Sequence, residues 1–347
     1  MATVEITFGG FLRSLVAGER LSVGQAEAAM EAIMAGEATQ AQIAAMLVAL
    51  RMRGEHAHEI AGFARAMRRH AVKVPVSSPH VVDIVGTGGD AAETFNISTA
   101  AAFVAAGAGA VIAKHGNRCV TSRCGSADVL EELGISLTLS PEAVGRCIDE
   151  IGIGFMFAPA MHPAMRHAAP VRRELGLRTV FNLLGPLTNP ADARRQVLGV
   201  FAREWVRPLA EAMVELGIEH AMVVHGLDGL DELSTLGPTA VAEVHGGEIA
   251  EYTVLPEEVG LTRASVEDLA GGDATACAAT LRALLQGEVG PRRDIVLLNA
   301  AAALYVAGLA PDLNSGIVLA GRSIDSGAAA RKLSALRDLS QELTTEV

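Results

Sequence analysis

Aromatic residues are nearly missing from this chain: only 3% of its 347 residues are Phe, Trp or Tyr, although half are hydrophobic. The apolar mass is therefore Ala, Val, Leu and Ile, the composition of helices packed on a buried parallel sheet. Long apolar runs are missing too, because Gly and charged residues interrupt every candidate, so no membrane-spanning helix is expected. The four cysteines (Cys119, Cys124, Cys147, Cys277) contain no C-x-x-C pair, and a disulfide framework does not suit so long a chain. The first ten residues lack a basic segment followed by an apolar one, which predicts no signal peptide. Reduced thiols and a cytoplasmic location follow. Basic residues are in deficit, 28 Lys+Arg against 40 Asp+Glu for a net charge of −12, and no concentrated basic stretch offsets it. Nucleic acid and membrane are thereby excluded as expected partners. Lysine is scarcest, occurring only at Lys73, Lys114 and Lys332, so a lysine in apolar surroundings draws attention.

What is present falls into two textures. Up to about residue 70 the chain reads as helices with short breaks. Ser22 with Gln25, and Thr39 with Gln42, have capping-box spacing, and Gly36 and Gly54 stand where helices would stop. Pro75 and Ser77-Ser78-Pro79 mark a boundary. This predicts a small all-helical domain over 1–76 and an α/β domain over 77–347. In the second part, β-branched runs at 81–85, 111–113, 153–157, 196–201 and 221–224 alternate with helical patterns at 99–106, 127–133 and 205–216. That alternation predicts a mostly parallel central sheet flanked by helices. Residues 241–254 alternate around Gly246-Gly247, predicting an antiparallel hairpin, and two helices, at 299–308 and 327–339, are expected to close the chain.

The strand at 81–85 runs into Gly86-Thr87-Gly88-Gly89-Asp90. Ligands bind parallel sheets at this carboxyl edge, and three glycines in four residues let backbone N–H groups crowd around an anion. Thr94, Asn96, Ser98 and Thr99 follow, and Ser98 or Thr99 is expected to cap the Ala-rich helix behind them. The glycines alone fit a tight turn with an ordinary helix cap equally well. Two familiar nucleotide loops fail, however. No Gly-Lys exists for a Walker A loop, and no acidic residue lies between Glu93 and Asp128 to serve a dinucleotide ribose. The second strand ends in the scarce Lys114, then His115-Gly116-Asn117-Arg118, Thr121-Ser122-Arg123 and Gly125-Ser126-Ala127-Asp128. A structural surface loop has little need of so many anion-binding donors.

In this order, GTGGD, NIST, KHGNR and GSAD resemble the anthranilate phosphoribosyltransferase family. The match continues through His162-Pro163-Ala164, Pro170-Val171-Arg172-Arg173, Arg178-Thr179-Val180-Phe181-Asn182 and Gly185-Pro186-Leu187-Thr188-Asn189-Pro190. Related nucleoside phosphorylases share the architecture but would not be expected to carry KHGNR with the second arginine segment. The resemblance implies transfer of a phosphoribosyl group from phosphoribosyl pyrophosphate (PRPP) to anthranilate, in tryptophan biosynthesis. It implies that about 175–195 joins the helical domain, and that a homodimer forms through that domain. The implied PRPP contacts are Gly86, Gly89, Asp90, Thr94, Asn96, Ile97, Ser98, Thr99, Lys114, His115, Gly116, Asn117, Arg118, Cys119, Val120, Thr121, Ser122 and Ser126. Anthranilate would meet Gly86, Asn117 and Arg172, with His115 and His162 nearby; Lys114 and Arg172 would be catalytic. Arginine's fork suits a carboxylate. Cys119 and Cys124 stand where the family often has serine, and Arg123 where it often has lysine, so Cys119 is expected to contribute backbone at most.

A further loop, His225-Gly226-Leu227-Asp228-Gly229-Leu230-Asp231-Glu232, follows the strand at 221–224. Adjacent carboxylates at the ligand edge suit Mg²⁺, as they also suit a solvated acidic loop. The resemblance assigns the metal to Asp231 and Glu232 with Ser98, in preference to Asp228. Catalysis is then expected to be positioning plus electrostatics, with domain closure bringing the substrates together. No residue is singled out as a general base.

Overall fold

The computed structural model describes residues 7–89, 93–118 and 123–345, so Asp90, Cys119, Val120, Thr121 and Ser122 lie outside the described residues. The helical part runs through α1 (Phe8–Val16), α2 (Val23–Met34), α3 (Gln40–Arg53) and α4 (Ala57–His70). Both capping boxes form: Ser22 and Thr39 accept from the amides of Gln25 and Gln42, whose side chains accept from the cap amides in return. Gly54 closes α3 at positive φ. Glu59, wholly buried on α4, accepts from the amides of Leu21 (2.9 Å) and His56 (3.0 Å) and pairs with Arg53. One carboxylate thus satisfies a loop and the positive end of α4.

The α/β part begins with β1 (Val81–Gly86), α5 (Ile97–Gly107), β2 (Val111–Gly116), α6 (Ser126–Glu132), α7 (Pro141–Ile151) and β3 (Ile153–Phe157). Short helices α8 (Ala158–Met161), α9 (Ala169–Leu175) and α10 (Phe181–Leu184) follow, then β4 (Arg195–Gly199), α11 (Val206–Glu215) and β5 (His220–Gly226). β6 (Thr239–His245) and β7 (Glu248–Val254) make the expected hairpin, with Gly246 and Gly247 both at positive φ as a tight two-residue turn demands. The described strands form one sheet in the order β3-β2-β1-β4-β5-β6-β7, parallel through β5 and antiparallel beyond it.

Four helices, not two, lie in the C-terminal part: α12 (Ala274–Leu285), α13 (Pro291–Val306), α14 (Leu313–Asp325) and α15 (Ala328–Thr345). The apolar stripes of α12 and α14 are diluted by Thr, Ser and Gly, which hid them from a periodicity reading. The sheet is apolar on both faces because alternate residues point opposite ways. Met222 and Val224 of β5 pack into the core of α5, α13 and α15, whereas Ala221 and Val223 pack with α11 and the N-terminal helices. Ala164, Ala168, Val171, Val180, Phe181, Leu183 and Leu184 belong to that second core, so α9, α10 and the turn before α9 pack on the helical bundle. Among the described residues, no helix is long and apolar enough to cross a membrane.

Candidate active site

The carboxyl ends of β1, β2, β4 and β5 converge on one edge, and the glycine turn is fastened there by its neighbours. Thr87 donates its amide to the Gly199 carbonyl (2.9 Å), and its hydroxyl accepts from the Phe201 amide (3.0 Å). Gly88 and Gly89 have φ of 66° and 79°, a region that disfavours any side chain. The Gly88 amide donates to Asp231 Oδ2 at 2.7 Å, and Arg178 holds the Gly89 carbonyl while lying over the Phe201 ring.

Asp231 rests on two glycines. Gly86 and Gly199 are register partners across β1 and β4. A Cβ on Gly86 would stand 2.4 Å from Asp231 Oδ2, and one on Gly199 would stand 1.5 Å from the Asp231 backbone oxygen. The acidic loop therefore crosses the strand ends only because both positions lack a side chain. Asn299, buried on α13, clamps the loop from behind, its Oδ1 accepting from the Leu233 amide (3.0 Å) and its Nδ2 donating to the Leu233 carbonyl (2.8 Å). Asp228 instead turns back on its own loop and accepts from the Leu230 amide at 3.1 Å.

Lys114 is 4% exposed, and its Nζ donates to the Ile84 carbonyl (2.5 Å) and Ser98 Oγ (3.2 Å). Burial lowers its pKa, against the opposing pull of Asp83, Glu232 and Asp231. Lys114 is thus hydrogen-bonded to Ser98 and lies within electrostatic reach of Asp83 and the acidic pair. The expected Ser98 or Thr99 cap does not form. Helix α5 starts at Ile97 after Asn96, whose side chain makes no cap bond, because Ser98 is engaged by Lys114 and Thr99 lies inside the helix. Asn96 instead donates to the Cys124 carbonyl (3.1 Å) and accepts from the Cys124 thiol at 3.5 Å. Cys124, which stands where the family often has serine, therefore holds a polar side chain at the helix start.

Thr94 pairs with Ala270 in an isolated antiparallel bridge. Gly116 packs against Ser126 and Phe155, and Ser126 donates to the Asn117 carbonyl at 3.2 Å. The exposed Arg118 reaches Asp128 (3.0 Å) and Glu131 (2.8 Å), so its guanidinium is paired along α6.

A second cluster adjoins the first through His115. The rings of His115 and His162 are 5.1 Å apart. Burial pushes their pKa values down to about 3 and about 4, so both are neutral, and the Nε2 atom of each is buried without a partner among the described residues. Asp83, unnoticed in the sequence, is fully buried beneath them. It accepts from the His115 amide (3.1 Å) and Asn189 Nδ2 (2.7 Å), and Asn189 also donates to the Ala113 carbonyl (3.0 Å). Arg68 of α4 donates to the Leu187 carbonyl at 2.7 Å, tying the same segment to the bundle. Arg172 on α9 is half-buried, lies over the Phe181 ring and forms no ion pair among the described residues. Burial lowers its pKa, so a charged guanidinium is held here in a partly desolvated place.

The glycine turn, the buried lysine and the acidic loop share the carboxyl edge of one parallel sheet, the place where α/β enzymes bind their ligands. Residues 10–71 match the helical bundle domain of the Glycosyl transferase family, and residues 78–330 match the a/b domain of that family. Anthranilate phosphoribosyltransferase of Rubrobacter xylanophilus is 60% identical over 333 residues, covering 96% of this chain and 97% of its own. That of Symbiobacterium thermophilum is 56% identical, over 96% and 98%. The crystal structure of the Thermus thermophilus enzyme superposes with a TM-score of 0.91 at 50% identity, covering 95% of this chain and 99% of that one. The Saccharomyces cerevisiae enzyme in complex with PRPP and Mg gives 0.88 at 30% identity, covering 97% and 99%. The chain belongs to the anthranilate phosphoribosyltransferase family.

Proposed function

We propose that this chain transfers the phosphoribosyl group of PRPP to the amine of anthranilate, releasing pyrophosphate, as a step of tryptophan biosynthesis. The observation that carries the reading is Arg172, a half-buried guanidinium with no carboxylate partner among the described residues, as a binder of a small aromatic acid requires. The neutral His115 and His162 supply ring nitrogens for the arylamine, and Gly86 and Asn117 are assigned to the same substrate. PRPP is assigned to the turn at Gly86 and Gly89, to Thr94, Asn96, Ile97, Ser98 and Thr99, and to Lys114, Gly116, Asn117, Arg118 and Ser126. Asp90 and the run 119–122 complete that assignment outside the described residues.

The set Asp231, Glu232 and Ser98 is made of oxygen donors only, which suits Mg²⁺. When bound with the substrate's phosphates, Mg²⁺ supplies charge neutralisation for the departing pyrophosphate. Lys114 adds a fixed positive charge beside the start of α5, and Gly88 holds Asp231 in place. Single displacement at C1 predicts inversion: the arylamine lone pair forms the new bond to C1 as the bond to pyrophosphate breaks, and the ammonium so formed then gives up one proton. A homodimer through the bundle is what the family resemblance implies, and the free Cys124, Cys147 and Cys277 accord with a cytoplasmic location.

The direct test is the loss of anthranilate fluorescence on adding PRPP and Mg²⁺. Turnover of thymidine with phosphate in its place would establish the nucleoside phosphorylase alternative, and a DNA gel shift would reveal a nucleic-acid binder.

A further inference from the structure

Across the sheet from the glycine turn, β5 and β6 bring His220, Glu243 and His245 together. The antiparallel register sets His220 opposite His245, and the two-residue repeat of a strand puts Glu243 on the same face as His245. The two imidazoles stack with centroids 4.3 Å apart and planes 10° from parallel. His220 Nε2 is 3.0 Å from Glu243 Oε1, and one ligand-capable atom from each of the three residues lies within 4.8 Å of the other two.

The carboxylate is held from behind with unusual thoroughness. The chain has two tyrosines, and both donate to it: Tyr305 to Oε1 at 2.7 Å and Tyr252 to Oε2 at 2.8 Å. Burial alone would raise the pKa of Glu243, but the bonds from His220, Tyr305 and Tyr252 outweigh it and bring it down to about 2. An ionised carboxylate oriented by outer hydroxyls is the usual support of a metal ligand.

We propose that His220, Glu243 and His245 form a binding site for a divalent transition-metal ion of the zinc class, with two imidazole nitrogens and one carboxylate oxygen as protein ligands. Ligand atoms around tetrahedral zinc stand about 3.3 Å apart, given metal–ligand bonds near 2.0–2.1 Å. The His220–Glu243 pair is already near that spacing. Only His245 must turn out of the stack, and it is exposed at a strand end beside the Gly246-Gly247 turn. Imidazole nitrogens select zinc, cobalt, nickel or copper over magnesium. The site lies at the start of β5, the length of that strand (about 20 Å) from the loop bearing Asp231 and Glu232, and it is independent of the phosphoribosyl reading. An ion there bridges β5 and β6, so its effect is on stability and not on turnover.

The experiment uses the full chain stripped by chelation and titrated with Co²⁺, followed by its visible absorption, and with Zn²⁺, followed by the melting temperature. The expected result is one equivalent of Co²⁺ with the absorption of a tetrahedral nitrogen–oxygen site, and a melting temperature raised by Zn²⁺. His245→Ala, an exposed change that leaves the fold and turnover intact, should weaken Co²⁺ binding by more than about tenfold and abolish the Zn²⁺ effect. Tyr252→Phe should weaken binding less. Equal Co²⁺ affinity in wild type and His245→Ala, thiolate-to-cobalt charge-transfer bands, or no stoichiometric binding would each overturn the proposal.

Discussion

Adding one methyl group at Gly86 tests whether the glycine floor positions Asp231. Gly86 is not at positive φ, so alanine brings no backbone strain, and its effect is contact alone. The new Cβ would meet Asp231 Oδ2 at 2.4 Å and Cγ at 3.0 Å. Carbon and oxygen settle at about 3.3 Å or beyond, so the carboxylate must withdraw by roughly 1 Å. Its bond from the Gly88 amide, now 2.7 Å, then passes the limit of a useful hydrogen bond. A hydrogen bond to a charged group contributes about 1.5–3 kcal/mol, equivalent to roughly a ten- to hundredfold effect on rate. The assay is kcat/KM for PRPP together with the Mg²⁺ half-saturation, with a thermal melt alongside. We expect kcat/KM for PRPP to fall by that factor, the Mg²⁺ requirement to rise, and the melting temperature to drop by only a few degrees, as loss of one such bond requires. Gly199→Ala is the contrast. Its Cβ would sit 1.5 Å from a backbone oxygen that has nowhere to withdraw, so folded protein should fail to accumulate. Wild-type PRPP kinetics and metal dependence in Gly86→Ala would refute the reasoning.

Arg172→Ala should raise the KM for anthranilate roughly ten- to hundredfold, the loss of a bidentate charged pair, and affect PRPP far less; equal effects on both substrates would remove Arg172 from the anthranilate site. Asp231→Asn combined with Glu232→Gln should weaken Mg²⁺ dependence, and an unchanged metal titration would count against the assignment. Asp83 gives a pH signature. Burial raises its pKa from 3.8 to about 6, so its stabilising, protonated form is fully present below about pH 4 and is lost as pH rises through 6. His115 and His162, lowered to about 3 and about 4, act oppositely: they favour the fold above the ordinary histidine range and lose that contribution as pH falls through their folded values. The stability difference between wild type and Asp83→Asn isolates the carboxylate. It should shift toward wild type by about 3 kcal/mol between pH 8 and pH 4. A difference independent of pH in denaturant melts would show that Asp83 does not titrate in this window.

Local chemistry was readable wherever the partners of an interaction are close in sequence. Both capping boxes, the hairpin turn at Gly246-Gly247 and the alternation of strands with helices depend on neighbours a few residues apart, and all formed as read. The run from Gly86 to Gly89 reads as an anion turn for the same reason. Distant partners were not visible. Ser98 was expected to cap α5, but Lys114 takes its hydroxyl from another strand. Gly199 carries no side chain to notice, yet it makes room for Asp231, 32 residues further on. Asn299 offered one hint, a lone amide in the apolar run of α13, and the loop it clamps is revealed only by packing. Asp83 reads as one polar residue in a strand until His115 and Asn189 are brought to it. The sequence alone settled which residue types stand at the strand ends, because periodicity and turn chemistry act over short spans. Tertiary structure decided which of them share a charge, a hydrogen bond or a floor, because those pairings follow from strand order and close approach, which no local pattern encodes.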